Sequence, residues 1–274
     1  SASKALRPLR LRHLSTDTPL WAAPATAEVW PSAYDRIVLE DTDSTMLEAQ
    51  RRGPEIKAPT WIMARRQTAA RGRRGRVWTA PQGNFAATLV LPLREAAGQA
   101  ALRSFIAAIA LRQTLALCID AERLSLKWPN DVLLDGGKVA GILLESSAAG
   151  PDVSRLAIGI GVNLREAPDV AQVEQRAVPP VSVAGQGGTS HSQDDMLFWL
   201  ACHFADLEAS FRQFGFAPIR RLWLDNAARL GQPITARTSL EEHHGTFDTV
   251  DDTGNLILRT PTGTKTIPAA DIYF

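Results

Sequence analysis

The chain has 274 residues, 45% of them hydrophobic, and its 30 Lys and Arg nearly balance 29 Asp and Glu. That length allows a sizeable core in one large domain plus a small one, and the composition excludes a disordered or fibrous protein. No apolar run approaches the roughly 18 residues needed to span a bilayer.

Residues 1–33 begin with Lys4, Arg7, Arg10 and Arg12 ahead of any acid, as in a transit peptide. Pro8, Pro19, Pro24 and Pro31 oppose a continuous helix, and there is no apolar core of a secretory signal. The segment is expected to be an extension wrapping the first strand, too short for a winged-helix DNA-binding domain. Ile37-Val38-Leu39 reads as that strand. Asp43-Ser44-Thr45 offers N-cap residues for a helix from Met46 to Arg52 that Gly53 stops. Ser44 and Thr45 either only cap this helix or also hydrogen-bond a polar ligand at its N-terminus.

The stretch from Arg65 to Trp78 holds six arginines, with Gly72 and Gly75 between them, and no Asp or Glu occurs between Glu55 and Glu95. Glycines let successive N–H groups converge on an anion, and arginine adds a fork matched to phosphate or carboxylate oxygens. By itself the run fits a small-anion loop or a nucleic-acid patch equally well. Its flanks, strands over Thr60–Ala64 and Phe85–Leu91, place it within a folded domain.

An Ala-rich helix near 98–118 follows, with Leu102, Phe105, Ile106 and Ile109 on one face. Leu124 to Leu134 and Lys138 to Glu145 read as strands around an Asp135-Gly136-Gly137 turn, with Pro129 marking a bend. Lys138 opens an otherwise apolar strand, so it lies at an exposed end or is aimed into a site. Leu156 to Leu164 is another apolar strand. Gly159 and Gly161 there allow close approach of a ligand or only helix packing, and Asn163 is a ligand contact or a strand-end turn. Pro179 to Asp195 reads as a loop before a helix with Met196, Leu200, His203, Phe204, Leu207, Phe211 and Phe214 on one stripe. His203 is expected to be packed, not catalytic. A short helix near Pro218–Leu230 precedes a small β-barrel with strands at 233–237, 245–250, 255–258 and 265–267 and a tight turn at Asp251–Gly254. Cys118 and Cys202 read as small core residues in a reducing, cytoplasmic compartment. His243-His244 reads as exposed loop rather than a metal site.

Three blocks in order, Gln67-Thr68-Ala69-Ala70-Arg71-Gly72-Arg73-Arg74-Gly75-Arg76-Val77-Trp78, Lys127-Trp128-Pro129-Asn130-Asp131 and Gly137-Lys138-Val139-Ala140-Gly141-Ile142-Leu143, resemble those of biotin protein ligases. Asp43-Ser44-Thr45 and Gly159-Ile160-Gly161-Val162-Asn163 fit the same pattern, and the resemblance covers residues 34–274. It implies an α+β fold: a mixed β-sheet with helices, of the class II aminoacyl-tRNA synthetase and biotin ligase type, in a catalytic domain over 34–230, followed by an SH3-like barrel over 231–274. It implies that biotin and ATP give biotinyl-adenylate, with Mg²⁺ on the phosphates, and that biotin passes to a lysine of a biotin carboxyl carrier protein. Ser44, Thr45, Met46, Gln67, Arg71, Gly72, Arg73, Lys138 and Gly141 fall at biotin-binding positions. Arg76, Trp78, Lys127, Asn130 and Asn163 fall at ATP or adenylate positions. Lys138, Arg71, Arg73 and Asp131 are the catalytic candidates, with Asp131 a Mg²⁺ ligand or an orienter of the incoming amine. Two positions depart from the family: Met46 stands where Asn is usual, removing one amide from the biotin head group, and Ala70 stands where Gly is usual, a strain if that backbone needs φ > 0. On the first departure, restoring Asn at 46 is expected to tighten biotin binding. The rivals are a lipoate ligase of the same fold and a nucleic-acid-binding protein. The resemblance implies no DNA or membrane partner and a monomer or homodimer.

Overall fold

The computed structural model describes residues 29–72, 75–79, 81–169, 178–189, 191–238 and 240–274. Most of the expected extension, residues 1–28, lies outside them. In chain order the elements are β1 (Asp35–Thr42), α1 (Thr45–Arg52), β2 (Thr60–Gln67), β3 (Phe85–Glu95), α2 (Ala97–Ala101), α3 (Arg103–Leu115), β4 (Leu124–Lys127), β5 (Asp131–Leu134), β6 (Gly137–Ala149), β7 (Asp152–Val162), α4 (Gln193–Phe214), α5 (Phe216–Leu224), β8 (Pro233–Arg237), β9 (Glu242–Val250), β10 (Leu256–Thr260), β11 (Gly263–Ile267) and β12 (Asp271–Tyr273).

Seven strands form one sheet in the order β1-β2-β3-β7-β6-β5-β4. The β1–β2 pair is parallel and the other five are antiparallel, so the sheet is mixed. The centre of the sheet is apolar on both faces: Phe85 to Leu91 of β3 are all buried. Strand β1 sits at an edge and alternates between half-buried and exposed residues. The β5–β6 turn is made by Asp135 at φ 50° and Gly136 at φ 78°, the two left-handed residues that a tight hairpin requires.

One face of the sheet is covered by α3, α4 and α5. Helix α3 is buried on most sides, from Phe105 through Leu111. Its Arg103 is 1% exposed and lies between Glu95 (2.7 Å) and Glu208 (2.8 Å), with the Phe211 ring 5.2 Å away. The other face carries α1, whose Met46 and Ala49 join Ile62, Val90 and Ala157 in a smaller apolar cluster.

The remaining strands form a five-stranded antiparallel sheet, β11-β10-β9-β8-β12, which among the described residues is open rather than closed into a hydrogen-bonded barrel. Its Ile234, Phe247, Val250 and Leu258 share the main core with α3 and α5, through contacts such as Trp223–Phe247, with ring centroids 6.4 Å apart.

Several expected boundaries shift. The Ala-rich helix breaks at Leu102 into α2 and α3. Helix α4 begins at Gln193, since Ser192 and Asp195 form a reciprocal capping box, and Phe214 at its far end is 63% exposed, off the buried stripe. His243 and His244 lie in β9, not in a loop, paired across to Ala236 and Thr235. The β6–β7 hairpin extends to Ala149 and Asp152, and β12 has no counterpart among the expected strands. Cys118 and Cys202 are free, the first buried and the second half-buried.

Candidate active site

Strand β7 is the axis of a cleft of about 570 Å³. Gly159, Gly161 and Asn163 recur at the period-two spacing that puts alternate residues on one face, and all three line it. From 159 to 163 is roughly 13 Å of strand. At the first position, a Cβ on Gly159 would meet Met46 Sδ at 2.7 Å. At the second, a Cβ on Gly161 would meet Trp78 Nε1 at 2.7 Å, and one on Gly141, its register partner in β6, would meet Trp78 Cζ3 at 3.1 Å. Gly141 and Gly161 thus make a flat floor under the indole, whereas Gly159 makes room for Met46 of α1, so close approach is the use of Gly161 and helix packing that of Gly159.

One end of the cleft is built by the β1–α1 turn. Ser44 caps α1, its Oγ accepting from Met46 N at 3.3 Å. The turn is fixed from outside by Arg51, whose guanidinium donates to both Asp43 oxygens (3.0 and 2.7 Å) and to Glu48. Those bonds, with the Ser44 N–H, hold the Asp43 carboxyl well below its ordinary pKa. Thr45 N–H and Thr45 Oγ1 both donate to Gln67 Oε1, at 2.7 and 3.1 Å. Ser44 and Thr45 therefore cap the helix and also line the cleft. Met46 is 3% exposed and packs on Gly159, so its thioether fills space at this end where the family's amide is absent.

The basic stretch crosses the cleft as a short hairpin. Arg71 bridges Val77, Gly72 N–H donates to Arg76 O (2.8 Å) and Trp78 N–H donates to Ala70 O (3.0 Å). The left-handed backbone falls on Gly75 at φ 73°; Ala70 has no positive φ, so the alanine there is unstrained. Arg73 and Arg74 lie outside the described residues. No acid near in sequence neutralises the run, but acids distant in sequence do so in part: Arg65 pairs with Asp194 (2.6 Å), Arg66 with Asp41, and Arg76 with Asp271 (3.3 Å). Arg65 and Arg66 are thereby used for structure, while Arg71, Gly72 and Arg76 line the cleft.

Across the floor, Lys138 Nζ lies 2.7 Å from Asp131 Oδ1 and 5.5 Å from the Trp78 ring centroid. Lys127 Nζ is 3.8 Å from Asp131 Oδ2. The antiparallel β5–β6 pairing with its two-residue turn sets this juxtaposition, and backbone bonds from Lys138 to Pro179 and Val181 hold the strand end. Lys138 is thus aimed into the site and not merely terminal. Asn130 donates its amide to Ile142 O. Asn163, 1% exposed, donates to Val181 O (3.0 Å), while its Oδ1 has no partner among the described residues. A buried acceptor without a donor is costly.

Every expected site residue among those described lines this one cleft. Residues that sequence reasoning missed are Asp271, Ile272 and Tyr273 of β12, brought in from the C-terminal sheet. No local motif marks them; only the register of β12 on β8 puts them there.

The comparisons agree with this geometry. Residues 37–163 match the Biotin/lipoate A/B protein ligase family and residues 230–274 match the Biotin protein ligase C terminal domain. The chain is similar to a biotin–[acetyl-CoA-carboxylase] ligase of Paracoccus denitrificans, 54% identical over 86% of this chain and 99% of that one. It is 32% identical to the bifunctional ligase/repressor BirA of Bacillus subtilis over 86% of this chain and 71% of that one. The fold resembles the biotin protein ligase of Aquifex aeolicus in complex with biotin and ATP, with TM-score 0.71 and 23% identity over 87% of this chain and 98% of that one. With a relative more than half identical along almost its entire length, and family models matching residues 37–163 and 230–274, the chain belongs to the biotin protein ligase family.

Proposed function

We propose that this chain is an ATP-dependent ligase that forms biotinyl-5′-AMP and passes biotin to a lysine of a biotin carboxyl carrier domain; the Paracoccus relative is named a biotin–[acetyl-CoA-carboxylase] ligase. The observation that carries the reading is the order of groups along β7. Polar Ser44, Thr45 and Gln67 line one end together with Met46, which packs on Gly159; the Lys138 ammonium stands beside Gly141, the register partner of Gly161; and Asn163 follows. An elongated molecule with a ureido ring, a central mixed anhydride and a purine has that sequence of needs. Lipoate has no ureido ring, so the polar end of the cleft favours biotin.

In the first step a biotin carboxylate oxygen attacks the α-phosphorus of ATP, and the bond from that phosphorus to the pyrophosphate oxygen breaks. Both reactants are anions, so fixed positive charge lowers the barrier. Lys138, Arg71, Arg73 and Arg76 supply it in this proposal. In the second step the neutral carrier amine attacks the acyl carbon, a C–N bond forms, AMP leaves and the amine nitrogen loses a proton. Trp78 shields the anhydride from water. Mg²⁺ is ordinarily held by one or two carboxylates plus substrate phosphates. Among the described residues no three His, Cys, Asp or Glu side chains cluster to hold a metal, and Asp131, one of two cleft carboxylates with Asp271, is the one that would hold it.

We take 34–230 as the catalytic unit and 231–274 as the C-terminal unit, which reaches the cleft through β12. The protein is proposed to work in the cytoplasm as a monomer or homodimer, with no DNA or membrane partner; no described helix is long and apolar enough to cross a membrane. Incubating the chain with biotin, Mg-ATP and an apo carrier domain, then mapping the carrier by mass spectrometry, tests the reading. One biotin amide on the carrier lysine is expected; an unmodified carrier would contradict it.

A further inference from the structure

The bonds at the polar end of the cleft have a fixed direction, set by a backbone group. Thr45 N–H is a donor without choice, and it lies 2.7 Å from the Gln67 side-chain atom that must therefore be the carbonyl, Oε1. Gln67 Nε2 then faces away, with two N–H donors. Thr45 Oγ1, 3.1 Å from the same Oε1, spends its only proton there. The 2.9 Å contact between Thr88 Oγ1 and Thr45 Oγ1 can then run one way only, with Thr88 donating. Thr45 is left as a pure acceptor toward the cleft. Ser44 Oγ accepts from Met46 N and keeps its proton to give. The cleft thus offers donor, acceptor, donor from Ser44, Thr45 and Gln67.

Thr88 sits behind this row. It is 0% exposed, in the middle of β3 between Ile62 of β2 and Gly159 of β7, and is not part of the cleft lining. A hydroxyl on a strand surrounded by apolar neighbours is costly to bury unless it is bonded, and among the described residues Thr45 is the partner that takes its proton.

We propose that Thr88 is a positioning residue for the ureido ring: its proton orients the Thr45 hydroxyl and commits Thr45 to accept a ring N–H, while the Thr45 backbone N–H independently fixes Gln67 as a donor. This rests on the biotin-ligase reading and adds to it a residue that touches no substrate. Without Thr88 the Thr45 hydroxyl rotates more freely and the pattern loses one of its fixed members. A neutral hydrogen bond of this kind corresponds to about two- to tenfold in binding.

The test is biotin-dependent ATP–pyrophosphate exchange by wild type, Thr88→Val, Thr88→Ser, Thr45→Val and the Thr45→Val/Thr88→Val double variant, with thermal melts alongside. Thr88→Val is expected to raise KM for biotin about two- to tenfold, with kcat and KM for ATP unchanged. Thr88→Ser is expected to restore wild-type KM. In the Thr45→Val background the change at 88 is expected to add nothing, because the coupling between neighbours runs through the Thr45 hydroxyl. Unchanged KM for biotin in Thr88→Val, equal losses for biotin and ATP, failure of serine to rescue, or multiplicative losses in the double variant would each overturn the inference alone. If Thr88→Val does not fold, the serine variant decides: wild-type KM supports the role, and a raised KM overturns it. A wild-type protein without biotin-dependent exchange would overturn the ligase reading and this inference with it.

Discussion

Replacing Lys138 by Met keeps the aliphatic stem and removes the ammonium. The structure separates its cost to folding from its cost to chemistry. Lys138 is 30% exposed and Asp131 12% exposed, and after the substitution Asp131 still has Lys127 at 3.8 Å. Losing one partly exposed ion pair of this kind costs at most about 1 kcal/mol. In a chain of this size that is a melting shift of roughly 2–4 °C. The chemical cost is larger, because the ammonium faces charge that develops only as the carboxylate meets phosphate. Removing one such preorganised donor lowers kcat by about 10²–10³, or roughly 3–4 kcal/mol. The assay is pyrophosphate release with biotin and Mg-ATP, paired with a thermal melt. A kcat within tenfold of wild type refutes the catalytic role. A large loss of activity together with a melting drop far beyond a few degrees would instead make Lys138 a structural residue.

Other outcomes follow from the same geometry. Gly161→Ala puts a Cβ 2.7 Å from Trp78 Nε1, and overpacking of about 1–3 kcal/mol should appear as a raised KM for ATP with little change for biotin, read by the same exchange assay. Arg103→Met leaves Glu208 buried without its partner at 2.8 Å, so a loss of about 3–5 kcal/mol, a melting drop of roughly 6–20 °C, is expected by calorimetry. Met46→Asn places an amide against Gly159 inside an apolar cluster, so packing reverses the expectation from sequence alone: a cost of about 1–3 kcal/mol in a denaturant melt, rather than tighter biotin binding by titration. Burial lowers the pKa of His203. Its contribution is complete above the pKa of the unfolded chain and fades as pH falls below about 6.5, so the melting difference between wild type and His203→Asn should narrow from pH 7 to pH 5.5.

Much of this site is legible in one sequence because its parts are local. The turn at Asp43–Thr45, the Arg–Gly hairpin and the Asp135-Gly136 turn each encode their own shape, and the cleft collects them. The glycines at 159 and 161 are readable as a close approach, though not what approaches; Trp78 is 83 residues upstream of Gly161 by number (161 − 78). What sequence does not show is long-range pairing. Arg65 and Arg76 read as free cations until the fold brings Asp194 and Asp271 to them. Thr88 reads as one β-branched residue among apolar ones, and its hydroxyl matters only because β3 runs beneath α1. The open five-stranded sheet is likewise a matter of pairing: strands β11 and β12 are short enough to serve as edges, and their residues do not say whether the ends meet.

The central claim is that the polar end of this cleft selects a ureido acid for adenylation. ATP–pyrophosphate exchange run with biotin, with lipoate and with neither measures that choice directly. Exchange that depends on biotin and is absent or far weaker with lipoate is expected; exchange equal or greater with lipoate, or no acid-dependent exchange at all, would contradict it.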